Sequence, residues 1–180
     1  TELDRLETLG VIEKVTEPTE WVSQVLITEK KNGKARLCID PRDLNKALLR
    51  EHYSLPVLDD ALHELYSAKV FSKADLASGY WHCCLDEESS KFTTFQTCFG
   101  RYKFRRLPMG LSVSSEIFQR KLSDALKDLP GIICIADDLI IYGETELIHD
   151  ENLRRSIARC ENENIRLNKT KLYLKSNEVT

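Results

Sequence analysis

Two apolar runs, Ile132-Ile133-Cys134-Ile135-Ala136 and Leu139-Ile140-Ile141-Tyr142, flank the pair Asp137-Asp138. No other feature of the 180-residue chain limits its fold so narrowly. Runs this short, rich in β-branched residues and separated by two turn-tolerant positions, predict a buried β-hairpin. The adjacent carboxylates at its tip repel each other and resist desolvation. Taken alone they fit a solvated turn, since Asp tolerates turn conformations. A divalent-cation site, where metal charge offsets the repulsion, is the other reading.

The hairpin sits inside a longer pattern. Residues 69–74 read as a strand that runs into Asp75 and breaks at Ser78-Gly79. Residues 112–128 place Val113, Ile117, Phe118, Leu122, Ala125 and Leu126 at helical spacing, with Ser112 as a cap. After the hairpin comes a helix carrying Ile148, Leu153, Ile157 and Cys160, then a last strand over residues 171–175. The order from residue 69 is strand, helix, strand, strand, helix, strand, the split βαβ or ferredoxin-like pattern of an α+β fold.

Upstream, Leu3, Leu6 and Leu9 make a helical stripe that Gly10 ends. Residues 22–28 and 35–39 read as strands joined through Asn32-Gly33, with Lys30, Lys31 and Lys34 at the tip. Pro56 precedes a short helix with Val57, Leu58, Ala61, Leu62 and Leu65 inward. Residues 91–107 interleave basic and aromatic side chains and turn at Gly100.

In the split βαβ arrangement the strand ending at Asp75 lies beside the Asp137-Asp138 hairpin, so three carboxylates could converge on one sheet edge. Hard oxygen ligands shared between two nearby ions are what phosphoryl-transfer enzymes use. Charge is segregated to match. The formal net charge is -3, yet residues 29–50 carry seven Lys/Arg against three acids and residues 91–127 carry eight against two. Basic stretches interleaved with aromatics suit phosphates and stacked bases.

Other classes drop out. At 42% apolar and 31% charged, with 7 Gly and 5 Pro, the chain is neither a disordered tail nor a fibre. No uncharged apolar run approaches the roughly 20 residues of a membrane helix. The opening Thr1, Glu2 and Asp4 give no sign of a signal peptide. The six cysteines, Cys38, Cys83, Cys84, Cys98, Cys134 and Cys160, show no zinc spacing. Five lie in or beside apolar segments, which suggests reduced core thiols in an intracellular protein.

Several stretches resemble one family. Arg36-Leu37-Cys38-Ile39-Asp40 with Arg42-Asp43-Leu44-Asn45 is one, and the run Phe71-Ser72-Lys73-Ala74-Asp75-Leu76-Ala77-Ser78-Gly79-Tyr80-Trp81 is another. Phe99-Gly100-Arg101-Tyr102, Leu107-Pro108-Met109-Gly110-Leu111, Phe118-Gln119 and Ile135-Ala136-Asp137-Asp138 complete the set. In this order they resemble the reverse transcriptases of gypsy-type LTR retrotransposon Pol polyproteins, from about Leu3 to Val179. Ile135 stands where Tyr is usual in that family, Met109 where Phe or Gln is usual, and Ser114-Ser115 in place of Ala-Pro.

The resemblance implies the fingers and palm of a right-hand polymerase. Fingers would be residues 1–50 and 83–113, and palm residues 51–82 and 114–180; thumb, connection, RNase H and integrase regions would be absent. It implies template-directed addition of dNTPs to a primer 3′-hydroxyl. Asp75, Asp137 and Asp138, with the Leu76 carbonyl, would hold two Mg²⁺ ions, Mn²⁺ being an alternative. Lys30, Lys31 and Arg36 would contact the dNTP phosphates, Tyr80 would exclude a 2′-hydroxyl, and Met109 would shape the nucleotide pocket. Lys171 would protonate the departing pyrophosphate. Phe118, Gln119, Arg105 and Arg106 would face template and primer. The partners implied are an RNA or DNA template with primer, dNTPs and the remainder of a Pol polyprotein, with no membrane. The compartment implied is the cytoplasm, within a virus-like particle, or the nucleus. Two other readings remain open: a nucleic-acid-binding relic without turnover, and a domesticated protein-interaction domain.

Overall fold

The computed structural model describes residues 1–29, 33, 35–50, 53 and 65–176. The expected Asn32-Gly33 turn and the helix after Pro56 lie largely outside them. The chain divides into two compact units, Thr1–Glu51 with Tyr80–Ser115, and His52–Gly79 with Glu116–Thr180.

The first unit is built on a five-stranded sheet in the order β1-β6-β5-β2-β3. Its strands are β1 (Ile12–Val15), β2 (Ser23–Glu29), β3 (Ala35–Asp40), β5 (Phe95–Thr97) and β6 (Gly100–Phe104). Helix α1 (Glu2–Thr8) starts in a capping box between Thr1 and Asp4 and buries Leu3 and Leu6. Leu9, expected on the same stripe, falls past the helix end and is half exposed. Leu3, Leu6, Val11, Ile12, Ile39, Phe95, Tyr102 and Phe104 form the core, and the Phe95 ring sits 5.2 Å from that of Phe104. Helices α2 (Arg42–Ala47) and α3 (Glu87–Phe92) complete the unit. The β5–β6 hairpin turns through Cys98-Phe99, just before Gly100. The contact of β2 with β5 is parallel, Ser23 facing Phe95.

The second unit carries a four-stranded antiparallel sheet in the order β7-β8-β4-β9. These strands are β4 (Val70–Asp75), β7 (Ile132–Ile135), β8 (Asp138–Gly143) and β9 (Tyr173–Ser176). With helices α4 (Ser114–Ala125) and α5 (Glu146–Asn162), they follow the expected ferredoxin-like order. Strand β4 alternates in burial: Val70, Ser72 and Ala74 point to one face and are buried, while Phe71, Lys73 and Asp75 point to the other.

Helix α5 buries a largely polar line. Its buried line is His149, Asn152, Ser156 and Cys160, whereas Ile148 and Ile157 are exposed. The polar groups on that line are satisfied. His149 Nε2 shares a 2.8 Å hydrogen bond with Ser72 Oγ, Asn152 Nδ2 donates to the Tyr142 carbonyl at 2.9 Å, and Ser156 Oγ donates to the Asn152 carbonyl. Hydrogen bonding removes most of the cost of burying them. No helix among the described residues is long and apolar enough to cross a membrane.

Candidate active site

Asp75 closes β4 and Asp138 opens β8, and the two are direct partners across the antiparallel ladder. The Leu76 N–H donates to the Asp137 carbonyl at 2.9 Å. That bond makes the Asp75–Asp138 pair the narrow, non-hydrogen-bonded kind, with Cα atoms about 4.5 Å apart and side chains on one face. Two like charges so placed repel. Each carboxylate is met by a lysine: Lys171 Nζ lies 2.8 Å from Asp75 Oδ1, and Lys73 Nζ lies 3.1 Å from Asp138 Oδ2. Asn168 Nδ2 adds a 3.3 Å bond to Asp75 Oδ2. The Asp75 carboxylate, and less strongly the charges of Asp138 and Asp137, push the Lys171 pKa up.

Asp137 sits in the turn before Asp138, and the residue before it, Ala136, has a left-handed φ of 51°. Gln119 from α4 holds this turn. Its Nε2 donates to the Cys134 carbonyl at 3.0 Å, and its Oε1 accepts the Ala136 N–H at 3.0 Å. Gly79 crosses directly against the carboxylate. A Cβ there would lie 2.6 Å from Asp137 Oδ1 and 2.8 Å from Phe118 Cζ, too close for any side chain.

Asp75, Asp137 and Asp138 therefore stand at one end of one sheet, but their carboxylates do not make a closed metal cluster. Among the described residues no three His, Cys, Asp or Glu side chains are grouped so as to hold an ion. Lysine ammonium groups fill that part instead. The donor set nonetheless fits a hard divalent cation, since Asp75 and Asp138 offer carboxylate oxygens on a shared face beside Asp137, with no softer ligand.

Phe118 and Gln119, expected to face template and primer, are 3% and 2% exposed and turn into the second unit. Leu76 is buried as well. In the first unit, Arg36 is exposed on β3 opposite Thr28. Lys30 and Lys31 lie outside the described residues. Tyr80 stands in a 3-10 turn (Gly79–His82), its hydroxyl 3.0 Å from Ser115 Oγ. Met109 is half-buried in a loop that Asn45 pins from both sides, donating to the Gly110 carbonyl at 3.0 Å and accepting the Ser112 N–H at 2.8 Å. Arg105 pairs with Glu87 and with Glu13, and Arg106 donates to Cys84 Sγ. Lys73, Gly79, Asn168 and Asn45 had no assigned part in the sequence reading. The signal for Gly79 lay in the Ser78-Gly79 break that follows the strand ending at Asp75.

The ferredoxin-like sheet is the architecture of a polymerase-type palm, and comparison with known proteins specifies the family. Residues 28–180 match the family described as reverse transcriptase (RNA-dependent DNA polymerase). The chain belongs to that family. It is 36% identical over 178 residues to the retrovirus-related Pol polyprotein from transposon 412 of Drosophila melanogaster, covering 93% of this chain and 14% of that protein. It is 37% identical over 151 residues to the Pol polyprotein from transposon gypsy of the same organism, covering 82% of this chain and 15% of that one. Among solved structures, a foamy viral protease-reverse transcriptase in complex with double-stranded DNA matches 99% of this chain and 31% of its own, at 26% identity and a TM-score of 0.90. The chain thus spans only a minor part of the length of these relatives.

Proposed function

We propose that the chain is the fingers-and-palm core of an RNA-directed DNA polymerase that adds dNTPs to a primer 3′-hydroxyl on an RNA or DNA template. The observation that carries this reading is the Asp75–Asp138 cross-strand pair with Asp137 in the adjoining turn. Residues 1–50 and 83–113 would be the fingers, and residues 51–82 and 114–180 the palm; the two compact units divide close to these bounds. The remainder of a Pol polyprotein is the natural covalent partner, as the length of the relatives suggests.

Asp75, Asp137 and Asp138, with the Leu76 carbonyl, would hold two Mg²⁺ ions. Bound there, the ions would favour the 3′-alkoxide and offset triphosphate charge as pyrophosphate leaves. The chain's own groups do the rest. Gln119 fixes the turn that aims Asp137 and Asp138. Lys171, whose pKa Asp75 raises, stays protonated at neutral pH and keeps a proton for the leaving pyrophosphate. Arg36 offers an exposed guanidinium to the β- and γ-phosphates, a role shared with Lys30 and Lys31. Tyr80, its hydroxyl held at Ser115, presents a ring of fixed orientation to the sugar and excludes a 2′-hydroxyl. Met109 lines the nucleotide pocket, while Arg105 and Arg106 contact template and primer. Phe118 and Gln119 act from beneath, as positioning residues.

The test is extension of oligo(dT) on poly(rA) with dTTP and Mg²⁺. The 180-residue chain should extend the primer, and Asp137→Asn should abolish extension without loss of fold. Full activity in that variant removes Asp137 from the mechanism.

A further inference from the structure

We infer that Lys73 competes with the divalent cation for Asp138 and thereby sets the metal concentration at which the carboxylate face loads. The inference rests on the reading of that face as a metal centre. Lys73 points to the same side of β4 as Asp75, two residues on. It stands opposite Ile140 on β8 and Tyr173 on β9. Its methylene stem can lie along these apolar neighbours while the ammonium reaches Asp138 Oδ2 at 3.1 Å.

Charge makes the lysine a competitor. With Lys171 on Asp75, two ammonium groups face three carboxylates, so the face is nearly neutral without metal. That arrangement relieves the repulsion built into the narrow Asp75–Asp138 pair. An arriving divalent ion needs the oxygen that Lys73 holds and meets a like charge beside it. At separations of a few ångströms one unit charge matters greatly, even when partial exposure screens it. The Lys73 side chain is 34% exposed and that of Asp138 41%, so water reaches the pair and the ammonium can swing out once the ion takes its place. The lysine is thus a reversible plug on the metal-free face.

The test is Mn²⁺ titration of the 180-residue chain, reading free Mn²⁺ by electron paramagnetic resonance and the metal-induced rise in Tm. Lys73→Met keeps the stem and removes the charge, and should tighten Mn²⁺ binding about tenfold, the effect of roughly one screened unit charge. Lys73→Arg keeps the charge and should bind close to the parent. Lys73→Gln replaces the Met variant if that one does not fold. If Asp75→Asn abolishes Mn²⁺ binding but Lys73→Met leaves affinity unchanged or weaker, the competition is refuted and the metal centre stands. If Mn²⁺ binding is absent throughout, or indifferent to Asp75→Asn, the metal centre itself is refuted and the competition with it.

Discussion

Gln119 accepts the Ala136 N–H at 3.0 Å while its amide donates to the Cys134 carbonyl, so one buried side chain grips the incoming side of the turn that presents Asp137. The bond to Ala136 matters most, because that residue is held at a positive φ that costs a non-glycine residue about 1 kcal/mol or more. Gln119→Leu fills the same volume but leaves a backbone donor and acceptor without this partner. A buried unsatisfied group costs roughly 1–3 kcal/mol. The variant should melt several degrees lower and should lose primer extension out of proportion to the loss of folded protein. Undiminished extension at a temperature where it is fully folded would separate the turn from the activity.

Gly79 gives a sharper case. Its backbone lies where a methyl group would strike Asp137 Oδ1 on one side and the buried Phe118 ring on the other. The ring is packed in the core and has little room, so the carboxylate must yield. Gly79→Ala should therefore cost about 1–3 kcal/mol as an overpacked site and displace Asp137. Extension should fall at least about tenfold, the effect of only 1.4 kcal/mol in the barrier. A crystal structure of the variant with Asp137 unmoved would contradict this account.

How far the sequence discloses such features depends on which force shapes them. The β7–β8 hairpin and β4 are legible because apolar runs and turn residues are local, and the observed strands differ from the expected bounds by a residue or so. Helix α5 is legible as a helix but not in orientation. Apolar type singles out Ile148 and Ile157, whereas the sheet receives His149, Asn152 and Ser156, each satisfied by a distant or neighbouring polar group. Strand β1 and the parallel β2–β5 contact carry no local signal, since both depend on partners far along the chain. At the site, the carboxylates stand out by their sequence context. Lys73 does not, because only the ladder register reveals which carboxylate it meets.

The cysteines divide more finely than composition suggests. All six are free thiols, with Cys83 and Cys160 buried and Cys84 and Cys98 exposed. Burial pushes the Cys134 thiol up to about 12, with the Asp137 and Asp138 charges adding to it, while the Gln119 hydrogen bond works against the rise. Burial pushes Cys160 up to about 11. Since the thiolate is the reactive form, iodoacetamide near neutral pH should label Cys84 and Cys98 first and spare Cys134 and Cys160. Peptide mass spectrometry resolves the order. Labelling of Cys134 as fast as Cys98 in folded protein would show that the hairpin opens.

Acid sensitivity should follow the join between β9 and α5. The Lys175 ammonium, 3.0 Å from Asp150 Oδ2, holds the Asp150 carboxyl below its ordinary value, and the His149 ring adds to this. A carboxyl depressed in the folded state contributes stability at pH values above its unfolded pKa. That contribution disappears as pH falls through the lower folded value. Asp150→Asn should thus be less stable than the parent at neutral pH. The gap, measured by urea unfolding, should close as the pH drops below about 4, the ordinary carboxylate range. His149 also reaches Ser72 beneath β4, and the Lys175 N–H donates to Ser72 Oγ at 3.2 Å. Loss of Asp150 should accordingly loosen β9 against β4 first, seen as faster amide exchange at Lys175 than at Ile140 or Ile141 in the sheet centre. A gap that stays constant from neutral to acid pH would show that the Lys175 pair contributes nothing through its charge.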